Sequence, residues 1–154
     1  MEVSVIAVGK ARKGPEQALF RHYAERLRPP LALREVEDRR VASAPVETRR
    51  RREAELLLAA VPDGAVVVAL DERGQALGSE DLAARVRAWE DDGRRHLAFI
   101  IGGADGLDDA VRARADLVLG LGRLTWPHLL VRGLVAEQVY RARCILTGHP
   151  YHRA

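Results

Sequence analysis

Apolar positions along this chain follow two rhythms, and the places where one gives way to the other mark its elements. Val3 to Val8 is a β-rich run ending at Gly9, and a helical pattern follows from Pro15 to Leu27 until Pro29 and Pro30 stop it. Leu33 to Val36 reads as a second short strand. The charged segment Glu37 to Arg52 leads into a helix ending near Val61, ahead of the turn signal Pro62-Asp63-Gly64. Ala65 to Leu70 is a continuous apolar run of the kind buried on both faces of a parallel sheet, and Asp71-Glu72-Arg73-Gly74 is a turn after it. Ser79 is the expected N-cap of a helix whose Leu82, Val86 and Trp89 share one face. His96 to Ile101 repeats the buried-strand pattern and breaks on Gly102 and Gly103, Asp105 to Ala115 is a short helix, and Leu117 to Leu119 is a last strand. Beyond the irregular apolar turn Leu124 to Pro127, an amphipathic helix runs to Thr147 and Gly148, with Pro127 suited to its first turn. Strand and helix alternate throughout, which predicts an α/β fold with a mainly parallel sheet and helices on both faces.

Length and composition narrow the class. At 154 residues the chain is expected to form one domain with a real core and no separate substrate domain. No apolar run reaches the length needed to cross a bilayer, and Glu2 and Ser4 interrupt the first strand too early for a signal sequence. A single cysteine, Cys144, cannot form an internal disulfide, so the expected compartment is the cytoplasm. Cys144 lies among apolar residues and reads as a buried, inert thiol, and the scattered Asp and His residues have no metal-ligand spacing. Net charge is only +3, yet Lys10 and Lys13 are the only lysines among 25 basic residues. Arginine's planar fork suits phosphate, so this bias has two readings: background composition or nucleic-acid contact. The run Arg49 to Arg52 is open in the same way, as a phosphate-tracking patch or, with Glu47, Glu53 and Glu55 interleaved, as a solvated helix face.

Ligands of parallel sheets bind beyond the carboxyl ends of the strands. Three such ends stand out: Leu70-Asp71, Ile101 to Gly106, and Leu119 to Pro127. The middle one is glycine-rich enough for close backbone approach to a ligand, but it is neither the dinucleotide fingerprint nor a P-loop. Taken alone it reads more readily as a tight connection than as a binding loop. The chain closes on His149-Pro150-Tyr151-His152-Arg153, a terminus rich in ionisable and hydrogen-bonding groups.

In order along the chain, Phe99-Ile100-Ile101-Gly102-Gly103-Ala104-Asp105-Gly106, Leu124-Thr125-Trp126-Pro127-His128, Leu130-Val131-Arg132, Ala136 to Ala142 and His149 to Arg153 resemble the signature of the RlmH family. These are SPOUT-class methyltransferases that modify N3 of a pseudouridine in 23S ribosomal RNA, in the helix 69 region. The resemblance covers essentially the whole chain, strongest from Leu70 onward. It implies a trefoil knot in the C-terminal half, a homodimer, S-adenosylmethionine as methyl donor and the assembled ribosome as substrate. It places the cofactor against Leu70, Gly102, Gly103, Leu121, Gly122, Arg123, Leu124, Thr125 and Trp126. An apolar slot with free backbone donors and acceptors suits adenine, although Trp126 stands where a smaller apolar residue is expected, and plain core packing is the alternative for Leu124 and Trp126.

The same resemblance makes the tail catalytic. The N3 proton lies on the pairing edge, so the base must be unpaired or flipped out before methylation. His152 could act as base, Arg153 could hold the uracil carbonyls or a phosphate, Tyr151 could stack on the base, and His149 belongs to the same segment. On the long helix, Arg132 and Arg141 are expected off the apolar stripe, where they either meet RNA phosphate or form a solvated face with a Glu137–Arg141 pair. Rival readings are a non-catalytic ribosome-binding protein of the same fold and a small Rossmann-type domain, the latter lacking its phosphate fingerprint.

Overall fold

A computed structural model describes residues 1–153. Five strands form one parallel sheet in the order β2-β1-β4-β3-β5: β1 (Glu2–Val8), β2 (Ala32–Val36), β3 (Val66–Gln75), β4 (His96–Ile101) and β5 (Leu117–Leu119). The helices are α1 (Pro15–Ala24), α2 (Val46–Ala59), α3 (Ser79–Asp91), α4 (Asp109–Arg114) and α5 (His128–Thr147), with a 3₁₀ turn at Arg39–Val41.

Period-two alternation in the central strands decides which helix covers which face. Val5, Ala7, Val66, Val68, Leu97, Phe99 and Ile101 point to one side and pack with Phe20 and Ala24 of α1, Leu82 and Val86 of α3, and Val131, Val135 and Val139 of α5. Ile6, Val8, Val67, Ala69, Ala98 and Ile100 point to the other, against Ala54 and Leu57 of α2 and Val111 of α4. The sheet is covered on both faces, as its unbroken apolar strands require.

Several boundaries differ from the sequence expectation, each for a local reason. α1 ends at Ala24, not Leu27, because the chain tightens into i→i+3 bonds (Arg26 to Tyr23, Leu27 to Ala24) on its approach to Pro29; Leu27 still faces inward. Asp71 to Gly74 is no terminating turn. β3 runs on to Gln75, and Leu70 and Gln75 both register against Leu119, so the intervening residues bulge out and return to the same partner strand. Asx-type bonding from the Arg73 amide to Asp71 Oδ1, at 2.8 Å, shapes the bulge. Gly78, not Ser79, is the N-cap of α3, because Asp81 reaches back to the Gly78 amide (3.1 Å). Ser79 instead donates its hydroxyl to Gln138 Oε1 on α5 at 2.7 Å, tying the two helices together. α4 begins at Asp109, four residues late, since the Asp108 carboxylate caps it and the residues before it form a turn closed by a Gly103–Gly106 bridge.

α5 carries the topology into the site. Its N-terminus lies near the carboxyl ends of β3, β4 and β5, it packs against α1 and α3, and Gly148 in the left-handed region (φ 75°) ends it.

Candidate functional site

The parallel arrangement brings the carboxyl ends of β3, β4 and β5 to one edge, and a cleft of about 480 Å³ opens there. Leu70 and the β3 bulge form one wall, Gly102 to Leu107 another, and the segment from Leu121 to His128 a third. Every residue expected at the cofactor lines this cleft except Arg123, which points to solvent. Gly102 is required by close approach: a Cβ there would sit 2.9 Å from the Gly106 carbonyl oxygen and 2.9 Å from Leu107 Cδ2. The glycines are thus a tight connection, packed closely within the loop, that also lines the cleft.

Leu124 and Trp126 are 71% and 40% exposed, so they are not core residues of this chain. The Trp126 indole N–H donates to the Leu121 carbonyl at 3.1 Å, which folds the 121–126 segment over itself and leaves the ring at the cleft. Together with Leu121 they supply a flat apolar surface beside free backbone groups, which is what a heteroaromatic ring needs.

Charges around the cleft are mostly paired. Asp71 receives Arg112 at 2.8 Å; burial pushes its carboxyl up, but the Arg73 amide and the Arg112 guanidinium outweigh this and hold it below the ordinary range. Asp105 is bonded by Arg49 at 3.0 Å, and Glu72 accepts from the Thr125 hydroxyl at 3.4 Å. Glu53 of α2 lies behind the glycine loop, its carboxyl pushed up by burial and by Asp105 against the opposing effect of Arg49. The arginine run is thus divided: Arg49 anchors the loop, Arg52 binds Asp38 and Glu55, Arg50 lines the cleft and Arg51 faces solvent.

His128 is a cleft residue with no role assigned from sequence. It begins α5 and is half-buried, and burial, with Arg132 one turn on, lowers its pKa from the ordinary 6.5. Its signal in the sequence was its position, directly after Pro127 at the start of a long helix.

Both arginines expected to meet RNA phosphate are committed elsewhere. Arg132 is not off the buried surface: its side chain is 2% exposed, bonds Glu35 at 2.6 Å and donates to the Val8 and Gly9 carbonyls at 3.1 and 2.8 Å. α5 is enclosed by sheet and neighbouring helices, so the side away from the main apolar stripe is also interior. Arg141 bonds Glu137 at 2.6 Å, lies over the Tyr151 ring at 4.8 Å and donates to His152 Nδ1 at 3.1 Å.

The tail is ordered, held on α5 and near α3 and away from the cleft. Tyr151 donates its hydroxyl to Glu137 Oε1 at 2.8 Å and packs edge-on against Tyr140. Burial, reinforced by bonding to Tyr23 and Glu137, pushes the Tyr151 phenol well above its ordinary value, so it stays protonated. A guanidinium can only donate, so His152 Nδ1 is an acceptor and its proton sits on Nε2, 3.4 Å from Glu80 without hydrogen-bond geometry. His149 Nδ1 accepts from the Tyr151 amide, and Arg153 is exposed. None of His149, Tyr151, His152 and Arg153 lines the cleft of its own chain. Among the described residues, no group of three or more potential ligands is placed to hold a metal, and no helix is long and apolar enough to cross a membrane.

A family model described as "Predicted SPOUT methyltransferase" matches residues 1–152. The chain is 60% identical to the "Ribosomal RNA large subunit methyltransferase H" of Paramagnetospirillum magneticum, over 99% of both chains. It is 57% identical to the protein of the same name from Rhodospirillum centenum, over the whole of both. Among solved structures, a probable methylase family protein from Haemophilus influenzae Rd KW20 superposes with a TM-score of 0.60 at 14% identity, covering 99% of this chain and 70% of that one. The SpoU methyltransferase AviRb from Streptomyces viridochromogenes gives 0.51 at 16% identity, over 96% and 61%. At these identities the two structures establish a shared fold.

Proposed function

The chain belongs to the SPOUT methyltransferase family, and from that premise we propose that it transfers a methyl group from S-adenosylmethionine to N3 of a pseudouridine in 23S ribosomal RNA, in the helix 69 region. The family fold implies the trefoil knot, whose loops would be the segments lining the cleft. One observation carries the reading: the residues expected at the cofactor, scattered from Leu70 to Trp126, converge with the sole exception of Arg123 on a single cleft.

The residues present fit that cofactor. Leu121, Leu124 and Trp126 offer the apolar surface for adenine, and Gly102 and Gly103 line the same cleft. The bound sulfonium supplies an already activated methyl group, so the protein's task is to position the acceptor nitrogen in line and exclude water. Arg153 is exposed and would stabilise negative charge on the uracil carbonyls, with Tyr151, only partly buried, two residues before it for contact with the base. His152, holding its proton on Nε2, serves as a donor in this arrangement.

The tail lies outside the cleft of its own chain, and the apolar Leu124 and Trp126 are left exposed at that cleft. This supports a homodimer in which one copy's tail closes the other's cleft. A modest net charge of +3 suits a single-domain cytoplasmic enzyme that docks on an assembled ribosome and does not bind free RNA on charge alone.

The test is methyl transfer from labelled S-adenosylmethionine to ribosomes, separated subunits and free ribosomal RNA, with the modified nucleoside identified by mass spectrometry. Label at pseudouridine N3 on ribosomes, lost on truncation after Gly148, is the expected result. No transfer to any substrate together with no cofactor binding by calorimetry would replace this reading with that of a ribosome-binding protein of the same fold.

A further inference from the structure

An N3–H nitrogen is a poor nucleophile until its proton leaves, so the reaction proposed above needs an acceptor for that proton close to the methyl donor. Among the groups lining the cleft, the carboxylates are poorly suited. Asp71 is bonded by Arg112 and faces Arg73, Asp105 is bonded by Arg49, and Glu72 is exposed to water and receives the Thr125 hydroxyl. A hydrated or guanidinium-paired carboxylate is too weak a base for an imide proton. Arg50, Arg73 and Arg112 carry protons and cannot accept one. His128 remains. It sits at the first position of α5 and lines the cleft with the 121–126 segment and Val131, and neither of its ring nitrogens is buried without a partner.

Resting on the methyltransferase reading, we propose that His128 is the general base of the cleft. The N3–H proton passes to its free ring nitrogen, the nitrogen's electron pair forms the bond to the methyl carbon, and the carbon–sulfur pair returns to sulfur as a neutral thioether. The charges balance: the sulfonium's positive charge ends as imidazolium, which water then deprotonates.

The surroundings keep His128 ready. It faces Arg132 on its own helix, whose charge is held in place by Glu35 of β2, a carboxylate also close to Lys10 of the β1–α1 loop. From β3 it shares the cleft with Asp71, Glu72 and Arg73, from α4 with Arg112, from α2 with Arg50, and from the glycine loop with Asp105. Burial first, then Arg132, disfavour the imidazolium, and the amino end of a 20-residue helix acts in the same direction. At neutral pH the ring is therefore uncharged and able to accept. His152 differs, because its proton-free nitrogen is taken by Arg141.

The experiment compares wild type with His128→Gln and His128→Ala on ribosomes from mildly acid to mildly alkaline pH, at saturating cofactor, with cofactor affinity measured separately by calorimetry. The expected result is a fall in kcat of roughly 100-fold or more near neutrality with cofactor affinity kept within a few-fold. The deficit should narrow steadily as pH rises, because a substrate nitrogen that ionises unaided no longer needs the base. Independently of activity, the ring signal absent from the His128→Gln nuclear magnetic resonance spectrum should titrate below the ordinary histidine range. A loss that is the same at every pH, variants within about threefold of wild type, or a ring that is charged at neutral pH would each overturn the assignment. An inactive wild type would instead remove the methyltransferase reading on which it rests.

Discussion

Arg132 has the largest side chain among those that are almost wholly buried, and its charge is tolerated there because Glu35 and the Val8 and Gly9 carbonyls meet it. The network fixes three pieces of chain at once, since Glu35 Oε2 also accepts the Ala11 amide at 2.6 Å. Replacing Arg132 by Met should therefore cost about 3–5 kcal/mol of unfolding free energy, measurable by urea denaturation, because it leaves Glu35 without its partner. Glu35 also sets an acid limit. Burial raises its carboxyl, but the Ala11 amide, Arg132 and Lys10 outweigh burial and bring it below the ordinary 4.5. A lowered folded-state pKa means that its stabilisation is complete above 4.5 and is lost as pH falls below that toward the folded value. The gap in denaturation midpoint between wild type and Glu35→Gln should accordingly be constant near neutrality and close in acid; a gap that widens in acid would contradict the linkage. Such a residue is hard to read from sequence. Arg132 and Glu35 are 97 positions apart, and a charge off the main apolar stripe of a helix looks solvated until the helix is known to be enclosed.

Elements were far more legible than partners. His96–Ile101 and Leu117–Leu119 fall where the apolar runs begin and end, because strands buried on both faces need unbroken hydrophobicity. Errors gathered where side chains reached the backbone of neighbouring residues, as at Asp108 and Asp81, or where β3 bulged and rejoined β5. Helix crossings left less trace. Gly133 lies in α5 where α1 crosses, and a Cβ there would be 2.6 Å from Leu19 Cδ2 and 2.7 Å from Cγ. Alanine would gain up to about 1 kcal/mol in helix propensity. The collision includes Cγ and not only the end of the side chain, so α1 must shift, and overpacking of this kind costs about 1–3 kcal/mol. Gly133→Ala should lower the thermal midpoint, and adding Leu19→Ala should recover part of that loss despite being destabilising alone. Strict additivity of the two changes would show that the crossing is not what fixes glycine at this position.

For the whole molecule, the decisive relation is between the two ends of α5. A 20-residue helix is about 30 Å long. His128 and Val131 at its start line the cleft, whereas the tail beyond Gly148 folds back only as far as Arg141 and Glu137. Glu137 lies nine residues after His128, about 13 Å along the axis, so the tail stops short of its own cleft. The sequence could point to the glycine loop and the polar terminus as candidates, since glycines after an apolar run and a polar terminus are local signals, but not to whether one chain would join them. Two copies related by a two-fold axis can do so, each giving its tail to the other. Gly102→Val displaces the glycine loop that walls the cleft, since a Cβ there already meets Gly106 and Leu107 at 2.9 Å, and truncation after Gly148 removes the tail. Each variant should be inactive as a homodimer. Mixed in equal amounts from a denatured state, half of the dimers are hybrids, and each hybrid holds one site with an intact cleft and an intact tail. Activity should return to about a quarter of wild type. A mixture as inactive as its parents, with hybrids verified by differently tagged copies, would mean that each tail swings into the cleft of its own chain.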